Sequence, residues 1–291
     1  MDDDGLSFPP EAAALFDHRL PPSCPNQTKT TSSSHRPFVT LTYASSLDGK
    51  ISQAPGVRTR LSGAESKAMT HFLRSRHDAI LIGVSTLLAD DPALNCRLSG
   101  TPSQPRPVIL DPHLRWTPRP EDKILSRSGG GGGGGVGVAP YIVTGVAADA
   151  VPGDSVELLR SRGGRFIHLD PVERSCSDDG RMRFDWSDLL AVLRREGLTS
   201  VMVEGGARVI ESLLRPDCRS LVDSVIVTIA PTWLGRRALG LLSPVAEEEE
   251  RGSGSSGSSG SSSSSAVARL REVSWHVFGE DVVLCGVLGG K

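Results

Sequence analysis

The sequence lacks long apolar runs, an excess of charge of one sign and closely spaced cysteines. No window reaches the roughly 18 consecutive apolar residues that suggest a membrane-spanning helix. The net charge is −2 over 291 residues, so electrostatics give no reason to expect nucleic acid or an anionic membrane as a partner. Apolar residues make up only 38% of the chain, and this low share reflects local Gly and Ser runs rather than a weak core.

The cysteines are odd in number and scattered along the chain. No pair has the CxxC spacing of a zinc site, and nothing indicates a disulfide framework. We therefore expect free thiols and no bound metal. The five residues are Cys24, Cys96, Cys176, Cys218 and Cys285.

The N-terminus is acidic and of low complexity. It begins Met1-Asp2-Asp3-Asp4, which fits neither a secretory signal nor an acid-poor transit peptide, so we predict a cytoplasmic location. Residues 1–35 are rich in Pro, Ser, Thr and charge, which predicts a disordered tail. Within this range, the apolar stretch Ala12–Phe16 has the length of one helical turn that can dock on the body.

Two low-complexity inserts interrupt the rest of the chain. Residues 129–137 contain the unbroken glycine run Gly129–Gly135, and residues 247–265 combine an acidic run with Gly and Ser. Such sequence cannot bury enough surface to offset the entropy of ordering it. The glycine run also lacks the Lys-Ser/Thr that ends a phosphate-binding loop. We therefore predict one domain over residues 36–291 with two loop inserts.

Strand and helix patterns alternate along this domain. Apolar strands such as Ala79–Gly83 alternate with amphipathic helices such as Asp188–Glu196, which predicts an α/β fold with a mostly parallel sheet covered on both faces. Ser62 and Glu65 have the spacing of a capping box and predict the start of a helix. Two strands around Gly279-Glu280 predict a C-terminal antiparallel hairpin.

The segment Ser200–Ala207 (SVMVEGGA) places a carboxylate and two glycines between an apolar strand and a helix. Glycine allows close approach of a ligand to the backbone, and a helix N-terminus presents free N–H groups to an anion. A pyrophosphate can therefore lie on Gly205–Val209. The alternative is an ordinary tight turn, and the segment is not the GxGxxG fingerprint of a Rossmann fold.

Two further segments carry weaker signals. Thr86 and Asp90 follow the strand Ala79–Gly83 and share a helical face, where they can bind ribose or amide groups; the alternative is a helix cap followed by a turn at Asp91-Pro92. The segment Thr42–Lys50 (TYASSLDGK) combines small residues with an Asp-Gly turn, and its alternative is a plain loop.

Together, these segments resemble the riboflavin-biosynthesis reductase family. The resemblance is carried by TLTYASSLDGKIS, GVRTRLSGAESKAMTHFLRSRHDAILIGVSTLLADDPALNCR and VMVEGGARVI, in the order of the family, and it spans Pro37 to Leu288 apart from the inserts. It implies a dihydrofolate-reductase-like, three-layer fold and a homodimer. The H-x-E…P-C-x-x-C signature of the zinc deaminase that bacterial relatives carry does not occur here. The chain is therefore similar to the stand-alone reductases of fungi and archaea.

The resemblance also implies the reaction. Hydride from NADPH reduces C1′ of 2,5-diamino-6-ribosylamino-4(3H)-pyrimidinone 5′-phosphate, after the ribosylamine opens to a Schiff base, and gives the ribitylamino compound. The residues at cofactor-binding positions of the family are Thr86, Asp90, Gly205, Gly206, Ala207, Arg208 and Val209, with Ile167 as a further backbone contact. Those at substrate-binding positions are Arg74, Leu94, Arg97 and Glu204.

Physical chemistry supports part of this assignment. A guanidinium matches the oxygens of a phosphate, which favours Arg74 and Arg97 as a phosphate clamp. Glu204 can accept hydrogen bonds from the amino groups of a pyrimidine. The alternative for each of the three is an ordinary surface charge.

Other roles stay open at this point. The roles of Arg58 and Arg60 are undetermined because the family sequence varies there. We assign no catalytic residue, and we expect His71 and His77 to lie on the surface.

Three questions of function remain open. NADH is an alternative cofactor, since Arg60, Arg165 and Arg208 are only candidates for binding the 2′-phosphate. A dihydrofolate- or pterin-type reductase is one alternative enzyme. A non-catalytic nucleotide-binding protein is a second alternative, from a different class.

Overall fold

A nine-stranded sheet forms the centre of the molecule. The structure is a computed structural model that describes residues 6–22, 35–101, 103–126, 137–172, 183–241 and 268–289. The sheet strands are β1 (Phe38–Ser46), β3 (Ala79–Gly83), β4 (Arg106–Leu110), β5 (Tyr141–Thr144), β6 (Arg165–His168), β7 (Ser200–Gly205), β8 (Ser224–Ala230), β10 (Leu270–Phe278) and β11 (Asp281–Leu288). Their spatial order is β10-β11-β8-β1-β7-β3-β4-β5-β6. A separate two-stranded sheet joins β2 (Lys50–Ser52) to β9 (Leu239–Gly240).

Strand direction divides the central sheet into two parts. Every neighbouring pair from β8 through β1, β7, β3, β4 and β5 to β6 is parallel. The C-terminal hairpin of β10 and β11 pairs antiparallel with β8. The predicted α/β class, with its mostly parallel sheet and C-terminal hairpin, is therefore confirmed. Because the parallel strands share one direction, the loops that follow them all open at one edge.

Helices cover the sheet on both faces. They are α1 (Pro10–Ala14), α2 (Ala64–Ser75), α3 (Val84–Asp90), α4 (Lys123–Ser126), α5 (Gly153–Ser161), α6 (Trp186–Arg195) and α7 (Ala207–Leu214). The pleat of β3 shows the division, because successive strand side chains point to opposite faces. Leu81 packs with residues of α6 and α7, whereas Ile80 and Ile82 pack with residues of α3, α4 and α5. The arrangement has three layers.

The start of α2 differs from the prediction. The N-cap residue is Gly63, and no side chain caps the helix, so the capping box predicted from Ser62 and Glu65 is wrong. The physical reason is a contact that lies far away in sequence. Asp281, which is buried in the C-terminal hairpin, accepts a hydrogen bond of 2.8 Å from the Gly63 N–H.

Part of the N-terminal region is folded. Phe16 is fully buried in a cluster with Met69, Phe72 and Phe278, so the expectation of disorder is wrong for residues 6–22, and the helical turn near Ala12–Phe16 does dock on the body. The apolar side chains of this short stretch gain a hydrophobic partner that composition alone does not reveal.

Some predictions concern residues that the structure does not describe. The glycine run Gly129–Gly135 and residues 247–265 lie outside the described residues, as do residues 1–5 and 23–34 of the predicted tail. Cys24 and Cys176 lie outside them as well. The three described cysteines, Cys96, Cys218 and Cys285, are buried free thiols.

Candidate functional site

A cleft of about 2110 Å³ opens at the edge where the parallel strands end. The loops after β3, β4 and β7 form part of its wall, and α2 and residues 55–62 form the opposite part. Every residue that the sequence predicts for cofactor or substrate lines this cleft, apart from Gly205 and Ile167. The lining set is Arg74, Thr86, Asp90, Leu94, Arg97, Glu204, Gly206, Ala207, Arg208 and Val209.

The two glycines after β7 form a backbone cradle at the start of α7. Gly205 and Gly206 have φ values of +100° and +84°, a region that residues with a side chain rarely adopt. A Cβ on Gly206 would lie 2.7 Å from Oγ1 of Thr86. The turn therefore packs directly against α3 and leaves no room for a side chain on Gly206. Gly205 lies just below, where a Cβ would meet Ile210 at 2.8 Å.

Two residues proposed near the cofactor lie elsewhere. Ile167 is buried in the core on β6 and does not line the cleft. Arg165 begins β6, so it lies at the opposite edge of the sheet, where it pairs with Glu196 at 2.6 Å and donates to the Tyr141 hydroxyl. Arg165 is therefore not a candidate for binding a 2′-phosphate in this cleft.

Arg74 and Glu204 form a two-pronged ion pair on the cleft wall. Nε of Arg74 donates to Oε1 of Glu204 and Nη2 donates to Oε2, both at 2.6 Å, while Nη1 donates to the Asn95 carbonyl at 2.9 Å. Each side chain is 15% exposed. Burial alone would lower the pKa of Arg74, but the charge and hydrogen bonds of Glu204 raise it. All three nitrogens of Arg74 are thus engaged within the protein.

A basic rim faces this ion pair and consists of Arg58, Arg60, Lys67 and Arg97. All four residues line the cleft. The positive charges of Arg97, Arg60 and Arg58, together with partial burial, lower the pKa of Lys67. Like charges that line one cleft repel one another, and a bound anion would relieve this repulsion.

Hydrogen bonds fix the loop that carries part of the rim. The Ser52 hydroxyl lies 2.7 Å from the carbonyl oxygens of both Ala54 and Val57 and can donate its one hydrogen to either. The Gln53 N–H donates to the hydroxyl of Thr59 at 2.9 Å. Thr59 lies between Arg58 and Arg60, so this closed loop presents both arginines at the cleft.

Both histidines of α2 and its end are buried, which contradicts the expectation that they lie on the surface. His71 lies beneath Arg97, whose Nη2 is 3.0 Å from Nε2 of His71. Burial, reinforced by Arg74, Arg97 and Lys67, lowers the pKa of His71 to about 3. His77 bridges Thr40 and the Leu73 carbonyl, and burial lowers its pKa to about 4. Both imidazoles are therefore neutral near pH 7.

The segment after β3 combines a ligand-facing residue with a structural one. Asp90 faces the cleft half-buried, and burial raises its pKa while Arg58 opposes the shift. Asp91 ends α3 with φ +40° and pairs with Lys123 at 3.1 Å. Leu94 is buried with φ +47°, so the backbone turns sharply where it lines the cleft.

Asp48, in the segment Thr42–Lys50, has a structural role. Its carboxylate accepts hydrogen bonds from the Ser46 hydroxyl at 2.5 Å and from the N–H groups of Leu234 and Gly235. These contacts, the Ser46 hydroxyl first among them, lower its pKa to about 2. Tyr43 and Ala44 of the same segment do line the cleft.

Sequence reasoning missed Lys67 and Arg115 as cleft residues. Arg115 lies beside the start of α3, where its Nη1 donates to Ser85 at 3.1 Å, and Asp111 fixes its backbone with a hydrogen bond of 2.9 Å. Lys67 carries a usable signal, because it lies seven positions before Arg74 and therefore on the same face of α2. Arg115 has no such signal, since its position depends on a long-range contact.

Two classes of feature are missing from the described part of the chain. None of the described helices combines the length and the apolar composition that crossing a bilayer requires. No three His, Cys, Asp or Glu side chains within the described ranges converge as a metal site.

The sheet order and the cleft at its carboxyl edge define the class: this is a dihydrofolate-reductase-like α/β protein. Residues 37–284 match the family model described as the RibD C-terminal domain. The chain belongs to that family.

The chain is similar to curated fungal proteins over most of its length. It is 39% identical to the 2,5-diamino-6-ribosylamino-4(3H)-pyrimidinone 5′-phosphate reductase of Debaryomyces hansenii, covering 79% of this chain and 86% of that protein. It is 36% identical to the reductase of the same name from Saccharomyces cerevisiae, covering 87% of each.

Solved structures agree with this assignment. The riboflavin biosynthesis reductase of Saccharomyces cerevisiae matches with a TM-score of 0.65 and 30% identity, covering 95% of this chain and 98% of that one. A pyrimidine reductase-like protein from Corynebacterium diphtheriae shares the fold with a TM-score of 0.58 and 15% identity, covering 88% of this chain and 93% of that one.

Proposed function

We propose that the protein reduces 2,5-diamino-6-ribosylamino-4(3H)-pyrimidinone 5′-phosphate to its ribitylamino form with NADPH. The observation that carries the proposal is one juxtaposition in a single cleft. The carboxylate of Glu204 immediately precedes the Gly205-Gly206 cradle and faces a rim of four positive side chains. Glu204 suits a pyrimidine, the glycine cradle suits a nicotinamide nucleotide, and the basic rim suits a phosphate. The fungal relatives bear the name of this reductase.

The cofactor binds at the glycine cradle. The first N–H groups of α7 have no partner within their own helix, and the helix dipole favours a negative charge at that point. Gly206 lets a pyrophosphate approach the backbone, while Thr86 and Asp90 face the same space and bind the ribose or the nicotinamide. Val209, Ala207 and Arg208 continue the contact along the first turn.

NADPH is favoured over NADH by the charges around this cradle. Arg208 and Arg115 line the cleft near the starts of α7 and α3, and a guanidinium fork complements the extra 2′-phosphate. The residues fit the cofactor, since a glycine at 206 keeps the backbone beside Thr86 free of a side chain that would lie 2.7 Å from Oγ1 of Thr86. When bound, NADPH supplies the hydride.

Glu204 holds the pyrimidine ring. Arg74 fixes the orientation of the carboxylate with two hydrogen bonds, and the remaining lone pairs of Glu204 accept hydrogen bonds from exocyclic amino groups. Since Glu204 is adjacent to the cradle, this anchor brings the ribosylamine beside the nicotinamide position. The protein thus contributes proximity and orientation.

The phosphate binds at the basic rim rather than at Arg74. Arg74 already donates from every nitrogen to Glu204 and Asn95, so we assign the phosphate to Lys67 and Arg97, with Arg58 and Arg60 beside them. Charge-assisted hydrogen bonds of this kind are roughly twice as strong as neutral ones. His71 lies beneath Arg97 and, being neutral, adds no further charge to the rim.

The reaction needs little proton transfer by the protein. Opening of the ribosylamine gives a Schiff base, hydride adds to C1′, and the nitrogen takes a proton from solvent. We assign no general acid or base, because the buried histidines are neutral and occupied with other contacts.

A homodimer in the cytoplasm is part of the proposal. The edge strand β10 exposes Val273, Trp275 and Val277 on alternate positions, with exposures of 43%, 59% and 74%. An apolar stripe on an unpaired edge is a surface that proteins normally cover, and a second copy of this strand would cover it. Sedimentation velocity of the wild type and of Trp275→Lys tests the dimer.

The function is tested by NADPH oxidation, followed at 340 nm, with the diamino substrate and its deaminated counterpart side by side. We expect turnover of the diamino compound and slower turnover of the deaminated one. Dihydrofolate serves as the control for a pterin-type reductase. Turnover of dihydrofolate alone would replace the proposed substrate, and NADPH binding without turnover of any substrate would indicate a non-catalytic nucleotide-binding protein.

A further inference from the structure

The backbone of Leu6 is hydrogen-bonded to the backbone of Arg97, which lines the cleft, and to that of Ser99. The Leu6 N–H donates to the Arg97 carbonyl at 3.1 Å, and the Leu6 carbonyl accepts from the Ser99 N–H at 2.9 Å. These two bonds form a parallel bridge between Leu6 and Leu98. The other end of the Arg97 peptide is held from the body, since its N–H lies 3.1 Å from Nδ1 of His71.

Aromatic packing anchors the segment that carries Leu6, which we name the N-terminal clasp (residues 6–22). Phe8 stacks on Phe72 with 5.0 Å between ring centroids, and Phe16 stacks on Phe278 at 5.8 Å. Both rings belong to the cluster beneath α2 in which Leu98 is also packed. The clasp therefore joins α2, the C-terminal hairpin and the loop that follows Arg97.

Polar contacts hold the far end of the clasp. Arg19 is 8% exposed, and it donates to the carboxylate of Glu272 at 2.9 Å and to the Glu272 carbonyl at 2.5 Å. Asp17 accepts a hydrogen bond of 2.8 Å from Arg76, the residue that ends α2. Together with the aromatic packing, these contacts attach the far end of the clasp to the C-terminal hairpin and to the end of α2.

We propose that the N-terminal clasp is a positioning element for the substrate side of the cleft. Leu6 fixes the main chain at Arg97 and thereby the direction in which the Arg97 guanidinium faces a phosphate on the basic rim. The inference rests on the proposed function for the identity of the substrate. It assigns a role in substrate binding to a segment that does not itself line the cleft.

The contacts also predict that the clasp does not affect the binding of NADPH. The glycine cradle and Thr86 belong to β7, α7 and α3, and none of the described hydrogen bonds of Leu6 reaches them. Removing the hydrogen bond between Leu6 and Arg97 should therefore weaken binding of the phosphorylated substrate and spare NADPH. A general loss of structure would affect both ligands, so the split between them separates positioning from stability.

The test is Leu6→Pro, which removes the N–H that donates to Arg97 and keeps the aromatic anchors. Ser7→Pro is the matched control, because it places the same ring at an exposed residue whose N–H donates to no atom of the described residues. Leu6→Ala keeps the backbone contact and should rescue the effect. A net loss of one hydrogen bond predicts about a 3- to 10-fold rise in KM for the phosphorylated substrate.

Three measurements decide the outcome. We expect the KM for substrate to rise in Leu6→Pro alone, the Kd for NADPH to stay within about twofold of the wild type, and amide exchange at Ser99 to accelerate. An unchanged KM in Leu6→Pro, or an equal loss of NADPH affinity, overturns the proposal. An inactive wild type would instead refute the proposed function. In that case the clasp is tested by amide exchange at Ser99 and by the affinity for ribose 5-phosphate. An affinity for ribose 5-phosphate that is the same in Leu6→Pro and in the wild type overturns the proposed role of the clasp.

Discussion

The guanidinium of Arg74 lies against the carboxylate of Glu204 with both contacts at 2.6 Å. The pair joins the middle of the cleft wall, at the end of β7, to the last turn of α2. Sequence reasoning had assigned both residues to the substrate, Arg74 to its phosphate. The geometry separates them, because Arg74 is engaged by Glu204 and Asn95, and Glu204 lines the cleft beside the glycine cradle.

Loss of Arg74 should therefore affect substrates with and without phosphate equally. Breaking a largely buried ion pair by removing one partner leaves the other charge unpaired, which costs roughly 3 kcal/mol or more of stability. We expect Arg74→Ala to lower the free energy of unfolding in urea by that amount. The same variant should reduce kcat/KM alike for the phosphorylated substrate and its dephosphorylated analogue. A loss confined to the phosphorylated compound would restore Arg74 as a phosphate ligand.

Gly206→Ala should weaken NADPH binding. The new Cβ would lie 2.7 Å from Oγ1 of Thr86 at a φ of +84°, so both strain and a clash would disturb the cradle. Gly197→Ala is the matched control, since its φ is +85° and nothing lies within 4 Å of the added Cβ. We expect both variants to lose about 1 kcal/mol of stability, but only Gly206→Ala to raise the Kd for NADPH, measured by its fluorescence. Equal NADPH affinity in the two variants contradicts the cofactor assignment.

Lys67→Gln and Arg97→Gln should lower the affinity for the substrate through its phosphate. A charge-assisted contact contributes about 1.5 to 3 kcal/mol, so each change should raise KM roughly 10- to 150-fold. The effect should nearly vanish with the dephosphorylated analogue and leave NADPH binding unchanged. Arg195→Gln, on α6 and outside the cleft, controls for the loss of a positive charge. The rim assignment fails if the analogue loses as much as the phosphorylated substrate.

The protein should lose stability as the pH falls below about 6.5. Burial lowers the pKa of His71 to about 3 and that of His77 to about 4. In the unfolded chain a histidine has a pKa near 6.5, so below that pH the unfolded chain binds more protons than the folded protein. Over this range, each buried neutral histidine lowers the free energy of unfolding by up to about 1.4 kcal/mol for each unit by which the pH falls. The slope of unfolding free energy from pH 6.5 to 4.5 should decrease in His71→Asn and stay unchanged in His18→Gln, whose side chain is exposed. Identical slopes in the two variants would show that His71 is not held neutral.

Arg115→Ala should reduce the preference for NADPH over NADH. Its guanidinium lies beside Ser85 at the start of α3, and only NADPH offers it a 2′-phosphate. We expect the Kd for NADPH to rise roughly 10-fold or more, while that for NADH stays constant. Arg119→Ala, which does not line the cleft, is the control. A parallel change for both cofactors would remove Arg115 from the 2′-phosphate site.

The local sequence pattern predicted the parallel strands and the residues near their ends, because strand periodicity and glycine turns depend on neighbouring residues. Glu204, Gly206 and Thr86 belong to this group, and the structure brings them into one cleft. Contacts between distant segments escaped prediction. The hydrogen bond from the Gly63 N–H to Asp281 at the start of α2 is one such case.

The buried histidines are another case that local pattern does not decide. Their burial depends on how α2 packs against the strands and against the loop of Arg97. The residue pattern of α2 does not show whether the face that carries a histidine contacts protein or water. The order of residues 6–22 beyond the docking turn at Ala12–Phe16 escaped prediction for a related reason, since Phe8 and Phe16 pack against Phe72 and Phe278, far along the chain.

The position of the clasp imposes an order on biosynthesis. Arg19 pairs with Glu272, which follows it by 253 residues, and Phe16 packs against Phe278. At about 5 to 20 residues per second, a ribosome needs roughly 13 to 50 seconds to complete that span. During this time Phe16 has no finished surface on which to dock, so residues 6–22 leave the ribosome well before Glu272 and Phe278 and yet cannot reach their native place until those residues are made.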